Sequence, residues 1–200
     1  MTGVSFAILR HATTTWNEQH RLQGLTDTPL NATGEADARR WRLPAPADAW
    51  RRLSSPLQRA RRTAELVRPA AAVTIDPALR EMSFGAWEGA TLIELRTTVG
   101  ERFLDAERRG LDFLPPGGES PRMVMARLGR WSATIAAQGA PVVAVSHKAA
   151  IRALLALATG WDMTGRPPEK LDWQCVHFFV AGRDGRVAVD RLNVPFERAP

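Results

Sequence analysis

The chain has 200 residues, 44% of them apolar, enough to build one domain over 1–200 with a proper core. Its formal charge of +6 invites a nucleic-acid reading. Lysine occurs only at Lys148 and Lys170, however, and the arginines are scattered without interleaved aromatics, so no nucleic acid is expected as a partner. Cys175 is alone, which excludes a disulfide framework and a thiolate metal site. Neither a basic-then-apolar leader nor a run of about 18 apolar residues is present, so no membrane is expected and a cytoplasmic location is.

In chain order, the first element is a continuous apolar run at 5–9, the pattern of an interior strand in a parallel sheet. A polar loop over 12–30 follows, with three consecutive threonines, Trp16 and Asn17. Thr33 is expected to cap a helix over about 34–43, stopped by Pro44 and Pro46. A short strand at 50–54 leads to Ser55-Pro56, read as the cap and first position of a helix to Val67. A strand at 73–75 and an irregular segment at 79–89 come next, then two helical stretches within 91–109. The Pro115-Pro116-Gly117-Gly118 break ends that pattern, and Ser120-Pro121 opens a long helix to Gln138. A second continuous apolar strand, 142–146, feeds a helix over 148–158. The last segments, 173–180 and 186–193, flank Gly182-Arg183-Asp184-Gly185 and read as a β-hairpin. The predicted fold class is α/β: a three-layer sandwich with a mostly parallel central sheet, helices on both faces, and an antiparallel edge from the hairpin. That edge could pair with a second copy in a homodimer.

Two histidines, His11 and His147, stand at the carboxyl ends of the two apolar strands, where open α/β sheets gather their reacting groups. With arginines beside them, they suggest a site for an anionic substrate. Taken singly, a structural role fits each residue. Arg10-His11 could be a buried pair, Glu81 a surface carboxylate bonded to Arg80, and Arg59 one of three arginines on one helix. His20 and His177 lack partners at informative spacing and read as structural, and Cys175 reads as a small buried hydrophobe.

Their order along the chain carries more. Arg10, His11, Thr14 and Asn17 form R-H-x-x-T-x-x-N, followed by Leu22-Gln23-Gly24 and Asp27-Thr28-Pro29-Leu30-Asn31. Then come Ser55-Pro56-Leu57-Gln58-Arg59-Ala60, the 79–89 segment with Glu81, Pro116-Gly117-Gly118-Glu119-Ser120, and Val145-Ser146-His147. This succession resembles the histidine phosphatase superfamily, the phosphoglycerate-mutase-like proteins, from residue 5 to about residue 193. The 79–89 and 116–120 segments look most like the α-ribazole phosphatase branch. Ala12 departs from the glycine that usually follows the family's nucleophile, and its methyl group is expected to narrow the pocket slightly.

The resemblance implies that His11 is the nucleophile, that Glu81 is the general acid and later the base, and that His147 assists. Arg10, Asn17, Arg59 and His147 would hold the phosphate, in hydrogen bonds of about 1.5–3 kcal/mol each. The second ring nitrogen of His11 should donate to a backbone carbonyl and fix the tautomer. Thr14, Gln23 and Gly24 are candidate substrate contacts. Glu119, Trp16 and Trp87 could face the substrate's other half, although a helix start and packing explain them as well. No cofactor and no metal is expected, since the arginines would repel a cation. The short stretch between Glu81 and His147 leaves the pocket open to water and favours hydrolysis of a small phosphorylated metabolite over mutase transfer. The alternatives are mutase-type phosphoryl transfer and a non-catalytic phosphate-binding module.

Overall fold

The computed structural model describes residues 3–67 and 72–197. Strand β1 is Val4–Arg10, followed by a one-turn helix α1, Thr15–Glu18, and helix α2, Ala32–Arg40. Strand β2 (Arg51–Ser54), helix α3 (Gln58–Val67) and strand β3 (Val73–Ile75) come next. Helices α4 (Leu92–Thr98), α5 (Glu101–Glu107) and α6 (Pro121–Gln138) precede strand β4, Val142–Ser146. Helix α7 (Lys148–Thr159) and the hairpin β5 (Cys175–Ala181) and β6 (Val187–Pro195) complete the fold. No helix among the described residues is long and apolar enough to cross a membrane.

The six strands among the described residues join one sheet in the order β3-β2-β4-β1-β5-β6. The first four pair in parallel, and β5 runs antiparallel to both β1 and β6, so the expected mixed α/β sheet is present. Alternation along β1 separates the layers. Phe6 and Ile8 face α6 and α7, packing with Leu128, Trp131, Ile151 and Leu154, whereas Ala7 and Leu9 face α3 through Ala60, Ala64 and Val67. A third cluster, Trp87, Leu95, Phe103 and Ala106, lies under α4 and α5. Burying both faces explains why β1 and β4 read as unbroken apolar runs.

Two predicted helix starts move. Asn31, not Thr33, caps α2, its side chain accepting from the Gly34 N–H at 2.8 Å, and the helix stops at Arg40 before the prolines. Helix α3 begins at Gln58 rather than Pro56, and Asp27 Oδ1 from the distant polar loop accepts the Gln58 N–H at 2.7 Å. An acceptor brought by tertiary folding is invisible to a local pattern. The Ser55 hydroxyl accepts the Leu57 N–H at 3.3 Å, just ahead of the helix.

Helix α2 sits close against the loop behind β1. A Cβ placed on Gly34 would lie 2.1 Å from the Thr13 carbonyl oxygen, a backbone atom that cannot swing aside. On α6, a Cβ on Gly129 would find only Leu157 Cδ2, at 3.7 Å. Gly34→Ala is therefore expected to lose about 1–3 kcal/mol in urea unfolding, and Gly129→Ala to gain about 0.4–1 kcal/mol through a stiffer unfolded chain.

Candidate active site

Register brings the site together. Arg10 pairs with Ser146, and Ser54 with Val145, so β1, β4 and β2 end side by side. The next residues leave the sheet in step: His11 N–H donates to the Ser146 carbonyl and Ser55 N–H to the Val145 carbonyl, each at 3.0 Å. His11, Ser55 and His147 thus emerge at one edge, and the two imidazole centroids stand 5.2 Å apart.

His11 Nδ1 lies 2.7 Å from the Ala12 carbonyl oxygen. A carbonyl can only accept, so Nδ1 carries the ring proton and Nε2 keeps the free lone pair. Ala12 N–H in turn donates to Thr63 Oγ1 at 3.0 Å, tying this loop to α3. The Ala12 methyl packs with Ala38 and Leu66, outside the cavity wall, so the narrowing expected from it does not occur.

His147 is fully buried, with Nε2 2.7 Å from the Ser55 hydroxyl and Nδ1 without a partner. Burial pushes both histidines well below the usual imidazole range. The Arg10 and Arg59 guanidinium groups push His11 further, while the Ala12 carbonyl opposes them. For His147, Arg59 and His11 add to burial, ahead of Arg10 and Arg127. Both rings are therefore neutral in the free protein at neutral pH.

Arg59 is buried at the cavity floor. Its Nη1 and Nη2 donate to the carbonyls of Thr26 and Gly24 at 2.9 and 2.7 Å, and Nε is left unpaired. Gly24 makes this approach possible with φ +54°, and a Cβ there would strike the Glu88 carboxylate. Arg10 rests its guanidinium 5.9 Å from the Trp173 ring, and its Nε is likewise unpaired. Asn17 Oδ1 accepts the Thr14 N–H at 3.0 Å, which leaves the amide donor for the cavity. Burial lowers both arginines, but a guanidinium stays charged.

Glu81 is the carboxylate nearest these cations. Its Oε1 accepts from Met82 N and Ala150 N at 2.9 and 3.1 Å, and Oε2 from Ala149 N at 3.2 Å, which seats it on the first turn of α7. Arg127 on α6 holds the same loop from behind, donating to the carbonyls of Ala78 and Arg80 at 2.6 and 3.0 Å. Glu119 completes that strut. It pairs with Arg80 at 2.6 Å and Arg127 at 3.4 Å and accepts the Ser83 N–H. Its place is therefore in the scaffold, and Arg80 bonds Glu119 rather than Glu81.

Arg10, His11, Asn17, Gln23, Arg59 and Glu81 all line one cavity of about 630 Å³. His147 is not among the residues of that wall; it lies fully buried beside His11, the ring centroids 5.2 Å apart. Thr14 and Gly24 do not reach the wall: Thr14 is fully buried as the cap of α1, and Gly24 serves Arg59. Trp87 packs on Phe103 and Phe113, and Trp16 lies over Gly89. The tryptophans beside the cavity cations are instead Trp173 and Trp161, which the sequence reading passed over together with Lys148, Arg152, Arg127 and the Ser55–His147 contact. Lys148 and Arg152 sit four apart on α7 directly after His147, and that spacing was the available signal.

Two histidines buried neutral make stability depend on pH. The unfolded chain takes up protons below about pH 6.5, the folded rings resist until much lower, and stability is lost as pH falls through that range. Between about pH 7.5 and about pH 5 the wild type should lose more Tm than the His11→Asn/His147→Asn double variant, read by calorimetry. Equal slopes would contradict this electrostatic account.

Comparison with known proteins agrees with the geometry. The profile of the histidine phosphatase superfamily (branch 1) matches residues 6–194. A bifunctional protein of Mycobacterium tuberculosis, Rv2228c, is 38% identical over 172 residues, 78% of this chain and 44% of that protein, so the chain spans less than half of it. The uncharacterised phosphatase PhoE of Bacillus subtilis is 36% identical over 168 residues, 81% of this chain and 80% of that one. Among solved structures, a mycobacterial glucosyl-3-phosphoglycerate phosphatase superposes with a TM-score of 0.74 at 27% identity, covering 96% of this chain and 99% of that one. An Escherichia coli protein assigned provisionally as an α-ribazole-5′-P phosphatase gives 0.75 at 24% identity, covering 98% and 100%, a likeness that shows the fold. On its match over 189 consecutive positions, from residue 6 to residue 194, the chain belongs to the histidine phosphatase superfamily.

Proposed function

We propose that the chain is a metal-independent phosphomonoesterase that hydrolyses a small phosphorylated metabolite through a phosphohistidine. The observation that carries this reading is the His11 imidazole, its proton fixed on Nδ1 by the Ala12 carbonyl and its Nε2 left free beside Arg10 and Arg59. A phosphomonoester dianion needs cations and donors to leave bulk water, and Arg10, Arg59 and Asn17 supply them. Nε2 attacks phosphorus in line while the bond to the leaving oxygen breaks, and the same donors hold the equatorial oxygens as charge spreads over them. Glu81 gives its proton to the departing alkoxide. Its Oε2 accepts one backbone N–H where Oε1 accepts two, so Oε2 is the freer oxygen to carry that proton. The resulting carboxylate then takes a proton from water, the water oxygen attacks phosphorus, and the N–P bond breaks to release phosphate and restore His11.

Hydrolysis is favoured over mutase transfer by the short α4–α5 cover, which leaves the cavity wide enough for water. Relatives named as phosphoglycerate mutases, such as one of Gloeobacter violaceus, keep phosphoryl transfer as the second reading. α-Ribazole 5′-phosphate, the substrate that the sequence resemblance suggests, belongs in any substrate panel.

Rapid alkaline quench of turnover with a labelled monoester should trap a base-stable, acid-labile phosphoprotein in the wild type and none in His11→Ala. Glu81→Gln should lower kcat about 10²- to 10⁴-fold on an alkyl phosphate and far less on p-nitrophenyl phosphate, whose leaving group needs no proton. A phosphate-binding protein inert on both substrates would establish the non-catalytic module instead.

A further inference from the structure

Glu88 is a half-buried carboxylate that the proposed chemistry leaves unused, and its hydrogen-bond partners are all donors. Its Oε1 accepts the Leu25 and Phe84 N–H groups at 2.9 and 3.1 Å, and its Oε2 the Thr26 N–H at 2.9 Å and the Thr26 hydroxyl at 2.6 Å. Partial burial resists its ionisation, but the Thr26 hydroxyl and the N–H groups of Leu25, Thr26 and Phe84 outweigh it and hold the carboxyl below the usual range. Glu88 is therefore an anion at neutral pH and no source of protons. Its segment is attached without it: the Gly89 N–H donates to the Leu22 carbonyl at 2.7 Å and the Leu22 N–H to the Ala90 carbonyl at 2.9 Å. What Glu88 adds is a hold on residues 24–26.

Those residues aim Arg59. The Gly24–Leu25 peptide gives its N–H to Glu88 and, from its opposite side, offers its carbonyl to Arg59 Nη2 at 2.7 Å. Thr26 is held by Glu88 at its N–H and hydroxyl, and its carbonyl accepts from Arg59 Nη1 at 2.9 Å. From this chain of contacts we infer that Glu88 is a positioning residue for phosphate binding, fixing the two carbonyls that set the angle of the Arg59 fork. The inference rests on the phosphomonoesterase reading, in which Arg59 holds the phosphoryl group. No carboxylate bonds Arg59 directly among the described residues. One paired with it would occupy the fork and compete with the ligand. A carboxylate one peptide removed instead polarises the carbonyl acceptor and leaves the fork's charge for the anion. The carbonyls take one N–H on each Nη, so the unpaired Nε–H and the second hydrogen of each Nη remain for a ligand. Gly24 fits the same design, since a Cβ there would lie 2.0 Å from Glu88 Oε1.

A double-mutant cycle tests the coupling, read by calorimetric titration with inorganic phosphate and by kcat/KM for p-nitrophenyl phosphate. Glu88→Gln should weaken phosphate binding about 10- to 100-fold, the range of a charge-assisted contact. In an Arg59→Lys background, which keeps a charge but has no fork to aim, the same change should cost less than about threefold. Equal losses in the two backgrounds overturn the inference. Leaving-group dependence separates positioning from general loosening, because Glu88 shares its segment with Glu81. Glu88→Gln should lower kcat/KM for an alkyl phosphate and for p-nitrophenyl phosphate by the same factor; a loss confined to the alkyl phosphate overturns the inference too. Should Glu88→Gln not fold, Thr26→Val removes one donor and should show an Arg59-dependent loss of about 3- to 10-fold; wild-type affinity in that variant is contrary evidence of the same weight. Additive losses with turnover intact defeat the positioning role alone. A coupled loss of phosphate binding in a protein without turnover defeats the phosphatase reading alone.

Discussion

Parallel pairing of β4 between β1 and β2 is the constraint from which the site follows. The three strands end in register, and the backbone bonds from His11 and Ser55 carry that register one residue beyond the sheet. Chain segments far apart in sequence therefore deliver two imidazoles and a hydroxyl to one edge without relying on loop conformation. The Ser146 hydroxyl extends the same edge towards the Glu81 segment by donating to the Leu79 carbonyl at 2.8 Å. Elements positioned by a sheet are stiff, which suits donors that must be aimed before charge develops.

The electrostatics follow from burial. Two guanidinium groups and two imidazoles lie close together with little exposed surface, and the buried imidazoles respond by staying neutral. The arginines cannot do so, and are held by carbonyl oxygens or aromatic rings while part of each fork remains unpaired. An arrangement of this kind is costly for the empty fold and favourable once an anion fills it. Its polarity is therefore written into the packing.

Much of this was legible in the sequence. The apolar runs of β1 and β4, the Ser120-Pro121 helix start and the hairpin signal each rest on a local rule with a strong period or cap, and each holds. The ordered motifs located Arg10, His11, Arg59 and Glu81 because their types and spacing are characteristic together. What stayed hidden depends on tertiary contacts. Asp27 reaches the start of α3 from another loop, and the Ser55 hydroxyl, which accepts the Leu57 N–H, also meets His147; no local pattern near Ser55 reveals either distant partner. Thr14 looked like a ligand contact because it sits inside a motif, yet its hydroxyl is spent on the α1 capping box. Trp173, read as the first residue of a strand, lies ahead of β5, Trp161 follows α7 without a regular element, and only the fold brings both rings to the cations of α7.

In the proposed cycle, the seat of Glu81 has a consequence for motion. Its oxygens terminate the first turn of α7 through Ala149 and Ala150, and His147 occupies the residue just before that helix. Each time the carboxyl gains a proton it becomes a weaker acceptor for those amides, and each time it loses one its grip returns. Proton traffic at one side chain would thus alternately slacken and tighten the anchorage of the opposite imidazole, giving the two halves of the cycle slightly different geometries.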